Sequence, residues 1–370
     1  MKAVVVISSL GAGGAERAMS ELAAFLAAND WEVTLATFDG ADAIDFYPLP
    51  SQVRRVHLAR SGPTRSLLAK FAANAGRVHA LRDLIRREHP DVVLGFMETT
   101  NVLCLLATVG LRVPVVVAER TDPSMHLEVP RPWRTARRFL YRRAAAVVAQ
   151  TEAAANWLRQ HCRTQVDVIP NALRQLPRPA TSREQLVLAV GRMQSEKGFD
   201  LLLDAFARIH TRHSGWRLAI VGEGSQRSAL QEQAATLGLA ACVEWPGRTS
   251  AIESWYARAS VVAVPSRYEG FPNVLLEAMA MGAAVVAADC RSGPREMVVP
   301  GENGLLVPVE DSAALAAALE QLLGDPGLRE RLGSEATKVR SRFGAQLILP
   351  LWMALLTRAA GGARSARTAQ

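Results

Sequence analysis

The chain has 370 residues and a mass of 40.0 kDa, past the size at which a single core stops growing, so two domains are expected. Its 49% hydrophobic and 21% charged content is that of a globular protein, and no stretch reaches the roughly 18 uninterrupted apolar residues of a membrane-spanning helix. The four cysteines, Cys104, Cys162, Cys242 and Cys290, lie far apart without CxxC spacing, which argues against a zinc site or disulfide framework and for reduced, buried thiols.

The opening "MKAVVVISSLGAGG" has a lysine and a short apolar run like a secretion signal. The run is too short and passes into a helix-patterned segment, so it is read as a first strand. Further β-branched runs follow at Glu32 to Thr37, Val53 to His57, Val92 to Gly95, Val113 to Ala118, Ala146 to Ala149 and Val166 to Ile169. Helical patterns such as Ala15 to Ala28 and Leu67 to Arg87 lie between them, the signature of βα units and a parallel sheet.

The first strand runs into "GAGGAER", whose Gly11, Gly13 and Gly14 precede Glu16 and Arg17. A glycine-rich turn opening a helix lets the backbone approach a phosphate or sugar, and it also serves as a plain tight turn. It is not the dinucleotide fingerprint, because Glu16 stands where the third glycine belongs.

Charge is uneven. Residues 1–179 carry 23 Lys and Arg against 16 Asp and Glu, and the remainder 20 against 19. The excess lies in "RPWRTARRFLYRR", with Arg137, Arg138, Arg142 and Arg143, and along Arg54, Arg55, Arg60, Arg65, Lys70, Arg77, Arg82, Arg86 and Arg87. Such runs are either solvated helix faces or a surface for anionic lipid head groups and lipid diphosphates. Nucleic acid is disfavoured, since no recognised motif or aromatic platform accompanies the arginines.

The stretch Asn171 to Gln185, with Pro177, Pro179 and the Thr181-Ser182 pair, reads as a linker. The alternation restarts with strands at Leu186 to Arg192, Arg217 to Gly224, Ala241 to Gly247, Ser260 to Ser266 and Ala283 to Cys290. Helices are expected from Phe199, Ser225, Ser250, Asn273 and Asp311. The predicted fold class is α/β: two doubly wound, Rossmann-like domains facing across a cleft, with ligands at the carboxyl ends of the strands.

In "RYEGFPNVLLEAMAMG" a strand turns into a helix through Glu269, Gly270, Phe271 and Pro272, with Asn273 or a neighbour as the expected cap. The amides of Phe271, Asn273 and Val274 then form an anion site. Glu277 lies about one turn inside that helix. Carboxylates accept paired hydrogen bonds from vicinal hydroxyls, so Glu269 and Glu277 read as clamps on two sugar rings joined through a diphosphate. "GRMQSEKG" supplies the matching positive charge, Arg192 as a planar fork and Lys197 as a point charge. No Asp-x-Asp pair and no His/Cys/Asp cluster has metal spacing, so metal-free stabilisation of a leaving nucleoside diphosphate is expected, with no cofactor.

These segments resemble retaining GT-B glycosyltransferases of family four. "EGFPNVLLEAMAMG" is similar to the family's E-x7-E segment and "GRMQSEKGFDLLLDAFA" to its phosphate-binding segment, while "VIPNAL", "VGEGSQRSALQEQAATLGL" and "GPREMVVPGENGLLV" stand in family order. "GGAER" with "GFMETTN" resembles the bacterial branch that builds lipid-linked glycans and exopolysaccharides. The resemblance implies residues 1–175 as the acceptor-side domain, 186–343 as the nucleotide-sugar domain, and 344–370 packing back on the first. It places Glu277 on the nucleotide ribose and Glu269 on the transferred sugar. Arg192 and Lys197 fall on the diphosphate with the amides of Gly270, Phe271 and Asn273, and Gly13 and Gly14 approach the donor phosphate and acceptor. Where some relatives carry a cleft histidine this chain reads "VVVAERTDPSMH", so either Arg120 or the displaced His126 is the counterpart, and His126 reads equally as a loop histidine.

The expected activity is transfer of a sugar from a nucleotide sugar, UDP-linked, to a glycan acceptor on a polyprenyl diphosphate, with retained configuration, by a peripheral protein of the inner face of the cytoplasmic membrane. The acceptor or membrane side would comprise Glu16, Arg17, Arg120, His126, Arg137, Arg138, Arg142 and Arg143. Two alternatives stay open: a hydrolysing sugar-nucleotide epimerase, and a non-catalytic nucleotide-sugar or anionic-lipid binding module.

Overall fold

A computed structural model describes residues 1–59, 67–125, 129–177 and 182–368. The chain divides into two compact units, Met1–Ala172 with Gln346–Gln370, and Leu173–Ala345.

The first unit runs β1 (Lys2–Ile7), α1 (Gly14–Ala28), β2 (Glu32–Thr37), β3 (Val53–His57), α2 (Leu67–Glu88), β4 (Val92–Phe96), α3 (Glu98–Ala107), β5 (Val115–Ala118), α4 (Arg131–Leu140), β6 (Ala146–Ala149), α5 (Glu152–Cys162) and β7 (Asp167–Val168). Its sheet has the order β3-β2-β1-β4-β5-β6-β7, all parallel. The alternation of side chains across a strand is visible in β1. Ala3, Val5 and Ile7 join the core under α1, whereas Val4 and Val6 join the opposite one with Leu81, Leu84 and Cys104. A sheet covered on both faces needs apolar residues at its central strand positions, which is why β1, β4, β5 and β6 read as apolar runs, whereas the edge strand β3 carries Arg54 and Arg55.

The second unit runs β8 (Glu184–Val190), α6 (Phe199–His210), β9 (Arg217–Val221), α7 (Arg227–Thr236), β10 (Val243–Gly247), α8 (Ile252–Arg258), β11 (Ala259–Val264), α9 (Asn273–Ala280), β12 (Ala284–Ala288), α10 (Pro294–Met297), β13 (Leu305–Val307), α11 (Ser312–Gly324), α12 (Pro326–Ala336) and α13 (Val339–Phe343). Its sheet order is β10-β9-β8-β11-β12-β13, again parallel. Asp311 and Asp325 cap α11 and α12 by accepting from the amides of Ala314 and Leu328 at 2.8 and 2.9 Å.

A final helix, α14 (Ala345–Thr368), returns to the first unit. Its Ile348, Trp352, Leu355, Leu356 and Ala360 enter the core that holds Val5 and Leu22, and Trp352 meets Phe96 at 5.6 Å between ring centroids. Pro350 sits inside this helix. Among the described residues no helix is long and apolar enough to cross a membrane.

The two units divide within the stretch expected as a linker, between Ala172 and Leu173, and part of that stretch is packed. Leu173 and Leu176 are core residues of the second unit, and the Leu173 amide donates to the Phe343 carbonyl at 2.6 Å. Pro179 and Thr181 lie outside the described residues. Both sheets reverse strand order, between β1 and β4 and between β8 and β11, and the carboxyl ends beside those reversals are where doubly wound sheets bind ligands.

Candidate active site

In the second unit two loops meet at the reversal, one after β8 and one after β11. Gly198 makes the approach possible: its φ is +65°, and a Cβ there would lie 2.1 Å from the Pro265 carbonyl oxygen. Lys197, in the short 3-10 turn Ser195–Lys197, therefore lies against the β11–α9 loop. Its Nζ donates to Glu269 Oε1 at 2.7 Å, and Ser266 Oγ donates to the same oxygen at 2.7 Å. The two side chains are 20% and 11% exposed, so the pair is shielded without being sealed.

Arg267 ties these loops together. Its amide donates to the Glu196 carbonyl at 2.8 Å, and its guanidinium reaches the Ser195 carbonyl at 2.5 Å, both oxygens of Asp200 at 2.9 and 2.7 Å, and Glu310 at 2.9 Å. Burial alone would push the Asp200 carboxyl up, but the Arg267 bonds and charge outweigh it and hold it below the usual range. Arg192 is mostly solvent-exposed, with Nη2 3.2 Å from Glu196 Oε1.

Pro272 occupies the position before α9, so no side chain caps this helix, and the expected cap Asn273 is its first residue. The amides of Asn273 and Val274 belong to the first turn, at the positive end of the helix dipole. Gly270 contributes its carbonyl to a bond from Ser292 Oγ at 3.1 Å. The Phe271 ring is a core group packed on Phe343 at 5.5 Å, so its side chain does not face a ligand. Glu277 is 3% exposed, and its Oε1 accepts from Arg174 Nε at 3.1 Å. Arg174 also pairs with Glu253 of α8 through Nη1. Burial would lower the Arg174 guanidinium, and the charges of Glu277 and Glu253 more than offset that and raise it.

In the first unit Gly13 precedes α1, and the Glu16 carboxylate folds back over it, 2.1 Å from where a Cβ would stand. Arg17 Nε lies 3.6 Å from Glu21 Oε1. Arg120, just past β5, is 7% exposed, stacks on Phe96 at 4.6 Å and donates to Asn171 Oδ1. Burial pushes its guanidinium down to about 9, with Glu21 and Glu16 opposing. It shares a small cavity with Glu21, Phe96, Asn171 and Trp352. His126 lies outside the described residues.

A family model described as Glycosyltransferase Family 4 matches residues 12–174, and one described as Glycosyl transferases group 1 matches residues 176–339. The chain belongs to the family 4 glycosyltransferases. It is 27% identical to the GalNAc-alpha-(1->4)-GalNAc-alpha-(1->3)-diNAcBac-PP-undecaprenol alpha-1,4-N-acetyl-D-galactosaminyltransferase of Campylobacter jejuni, over 96% of this chain and 98% of the relative. It is equally 27% identical to the amylovoran biosynthesis glycosyltransferase AmsD of Erwinia amylovora, over 96% and 99%. The structure of sucrose-phosphate synthase from Thermosynechococcus elongatus superposes with a TM-score of 0.86 at 23% identity, covering 98% of this chain and 100% of that one. Anabaena HepE in complex with UDP-glucose superposes at 0.77 with 22% identity, covering 100% of both. The fold of this glycosyltransferase is GT-B.

Two features of the glycosyltransferase correct the reading of its basic run. Arg137 is 2% exposed, stacks over Trp157 at 4.9 Å, and lies 3.4 Å from Glu119 Oε1, so it is a core cation and not a surface one. Tyr141, within the same run, is fully buried and donates to Glu119 Oε1 at 2.7 Å, so it too is a core group. Burial pushes the Glu119 carboxyl up, against the opposing charge of Arg137. Arg138, Phe139, Arg142 and Arg143 remain exposed. Arg174, Ser266, Arg267 and Glu119 were not singled out by their residue pattern. Arg174 stood in the presumed linker, 103 residues from its partner Glu277, and local spacing carries no signal at that separation.

Proposed function

We propose that this glycosyltransferase moves a hexosyl group from a nucleoside-diphosphate sugar, UDP-linked, to a polyprenyl-diphosphate-linked saccharide, with retained configuration and without a metal ion. The observation that carries the reading is the Lys197–Glu269 pair beside the first turn of α9: a cation, a hydroxyl-binding carboxylate and a helix N-terminus on one loop junction. A sugar diphosphate needs that combination, and a plain phosphate ligand does not need the carboxylate. The donor class is supported by the UDP-glucose bound to HepE, and the acceptor class by the undecaprenol-linked substrate in the name of the Campylobacter relative.

In the proposed reaction the C1–oxygen bond to the diphosphate breaks and the acceptor hydroxyl oxygen bonds to C1 on the same face. The acceptor's proton passes to the departing phosphate oxygen. No paired acid and base carboxylates are required, in contrast to glycoside hydrolysis. Charge builds on the leaving diphosphate, where Lys197, Arg192 and the first amides of α9 stabilise it. Donor binding gives Lys197 a phosphate oxygen and leaves Glu269 to accept from the sugar hydroxyls, while Glu277 takes the ribose diol. On the first unit, Gly13 and Gly14, between β1 and α1, are assigned to the donor phosphate and acceptor, and Glu16, Arg17 and Arg120 to the acceptor side. The exposed Arg138, Phe139, Arg142 and Arg143 suit an anionic bilayer surface on the cytoplasmic face.

The test is nucleoside diphosphate release from a panel of nucleotide sugars, with and without lipid-linked acceptor. Acceptor-dependent release from a UDP-sugar is expected. Acceptor-independent release with an isomerised sugar would make the protein an epimerase, and binding without turnover would make it a binding module.

A further inference from the structure

Arg174 pairs with Glu277 and has no part in the proposed donor chemistry. Its guanidinium is shared between two elements, with Nε on Glu277 of α9 and Nη1 on Glu253 of α8. Nη2 is buried and has no hydrogen-bond partner among the described residues. The three side chains are 19%, 4% and 31% exposed for Arg174, Glu277 and Glu253, so the pairing runs from the core toward solvent. Two other cations next to α9, Arg340 and Arg183, donate to the carbonyls of Ala280 and Met281 at the far end of the helix.

A carboxylate this buried needs an opposite charge, and the guanidinium that supplies it is itself held in place by its second bond, from Nη1 to Glu253. We propose that Arg174 is a positioning residue for recognition of the nucleotide ribose. Anchored by Glu253, it holds Glu277 turned to accept both ribose hydroxyls, and its unpartnered Nη2 is left as a donor for a nucleotide oxygen. The inference rests on Glu277 serving the donor ribose, as proposed above. An unpaired buried N–H is unfavourable in the free protein, so a ligand oxygen that satisfies it gains affinity.

The test compares UDP with 3′-deoxy-UDP by calorimetry. A hydrogen bond to a charged carboxylate makes the wild-type protein prefer UDP by roughly tenfold or more. Glu277→Gln is the control and loses most of that preference. Arg174→Met is expected to bring the two ligands within about threefold of each other. A purely structural role would lower the thermal midpoint of Arg174→Met and leave the ratio at the wild-type value, and that result overturns the proposal. If Arg174→Met does not fold, Glu253→Gln, which removes only the half-exposed anchor, carries the test: a ratio reduced by about threefold or more supports the proposal and an unchanged ratio overturns it. A wild-type protein that ignores UDP, or a Glu277→Gln variant with full preference, instead overturns the donor-ribose reading on which the inference rests.

Discussion

Lys197 and Glu269 stand 2.7 Å apart in the free protein, so each is neutralised by the other before a donor arrives. On the proposed donor site, removing the cation would strip positive charge from the leaving group and leave a part-buried carboxylate facing an incoming diphosphate. Lys197→Ala should lower turnover by about 10²- to 10³-fold, measured as initial rates at saturating donor; wild-type rates in that variant would remove the assigned role. Glu269→Gln should spare UDP affinity and depress transfer, whereas Glu277→Gln should weaken UDP binding itself. Equal losses of affinity in the two variants would contradict that division. Arg137 contributes to stability instead. It is buried against Glu119, so Arg137→Gln leaves a buried carboxylate without its cation and should cost about 3–5 kcal/mol, read as a drop in thermal midpoint.

The loop after β8 and the loop after β11 work as one element, joined by Gly198 and Arg267. Gly198→Ala would place a methyl against the Pro265 carbonyl at a positive φ, a strain of about 1–3 kcal/mol, and should displace Lys197. The variant is expected to lose turnover out of proportion to nucleotide affinity; a fully active Gly198→Ala would show that the close approach is dispensable. The Asp200–Arg267 bond gives this junction a pH dependence. Because the Asp200 carboxyl is held below its usual range, its contribution to stability is fully present above the unfolded value of about 3.9 and is lost as pH falls through the lower folded value. Asp200→Asn should therefore flatten the loss of stability to urea below about pH 4. All seven strands of the first unit were legible as β-branched runs, most plainly β4 and β5, which are buried at every position; the edge strand β3 was legible despite Arg54 and Arg55, through Val53 and Val56. The E-x7-E segment and "GRMQSEKG" were legible for a related reason: a strand, a turn and a helix start lie within a few residues of one another. Arg174 and the buried Arg137 were not, since a guanidinium reads as surface unless its carboxylate partner, distant in sequence, is known to be beside it.

For the molecule as a whole, two parallel sheets of related order make up the fold, and the charge asymmetry bears on where the protein works. The basic run contributes fewer surface charges than its sequence suggests, since Arg137 is internal. Sedimentation with anionic liposomes should rise with lipid charge and fall with salt, as contacts are screened within about 8–10 Å. Replacing Arg138, Arg142 and Arg143 with glutamine should release the protein without lowering its thermal midpoint, while binding that survives the triple substitution would return these arginines to a solvated face. The central claim is metal-independent, retaining transfer from a nucleotide sugar, and it is tested most directly by nuclear magnetic resonance of the product formed from a UDP-sugar and a polyprenyl-diphosphate-linked saccharide in the presence of a chelator. The account predicts one nucleoside diphosphate released per sugar transferred and a new glycosidic bond with the anomeric configuration of the donor. An inverted product, or transfer abolished by the chelator and restored by a divalent cation, would contradict it.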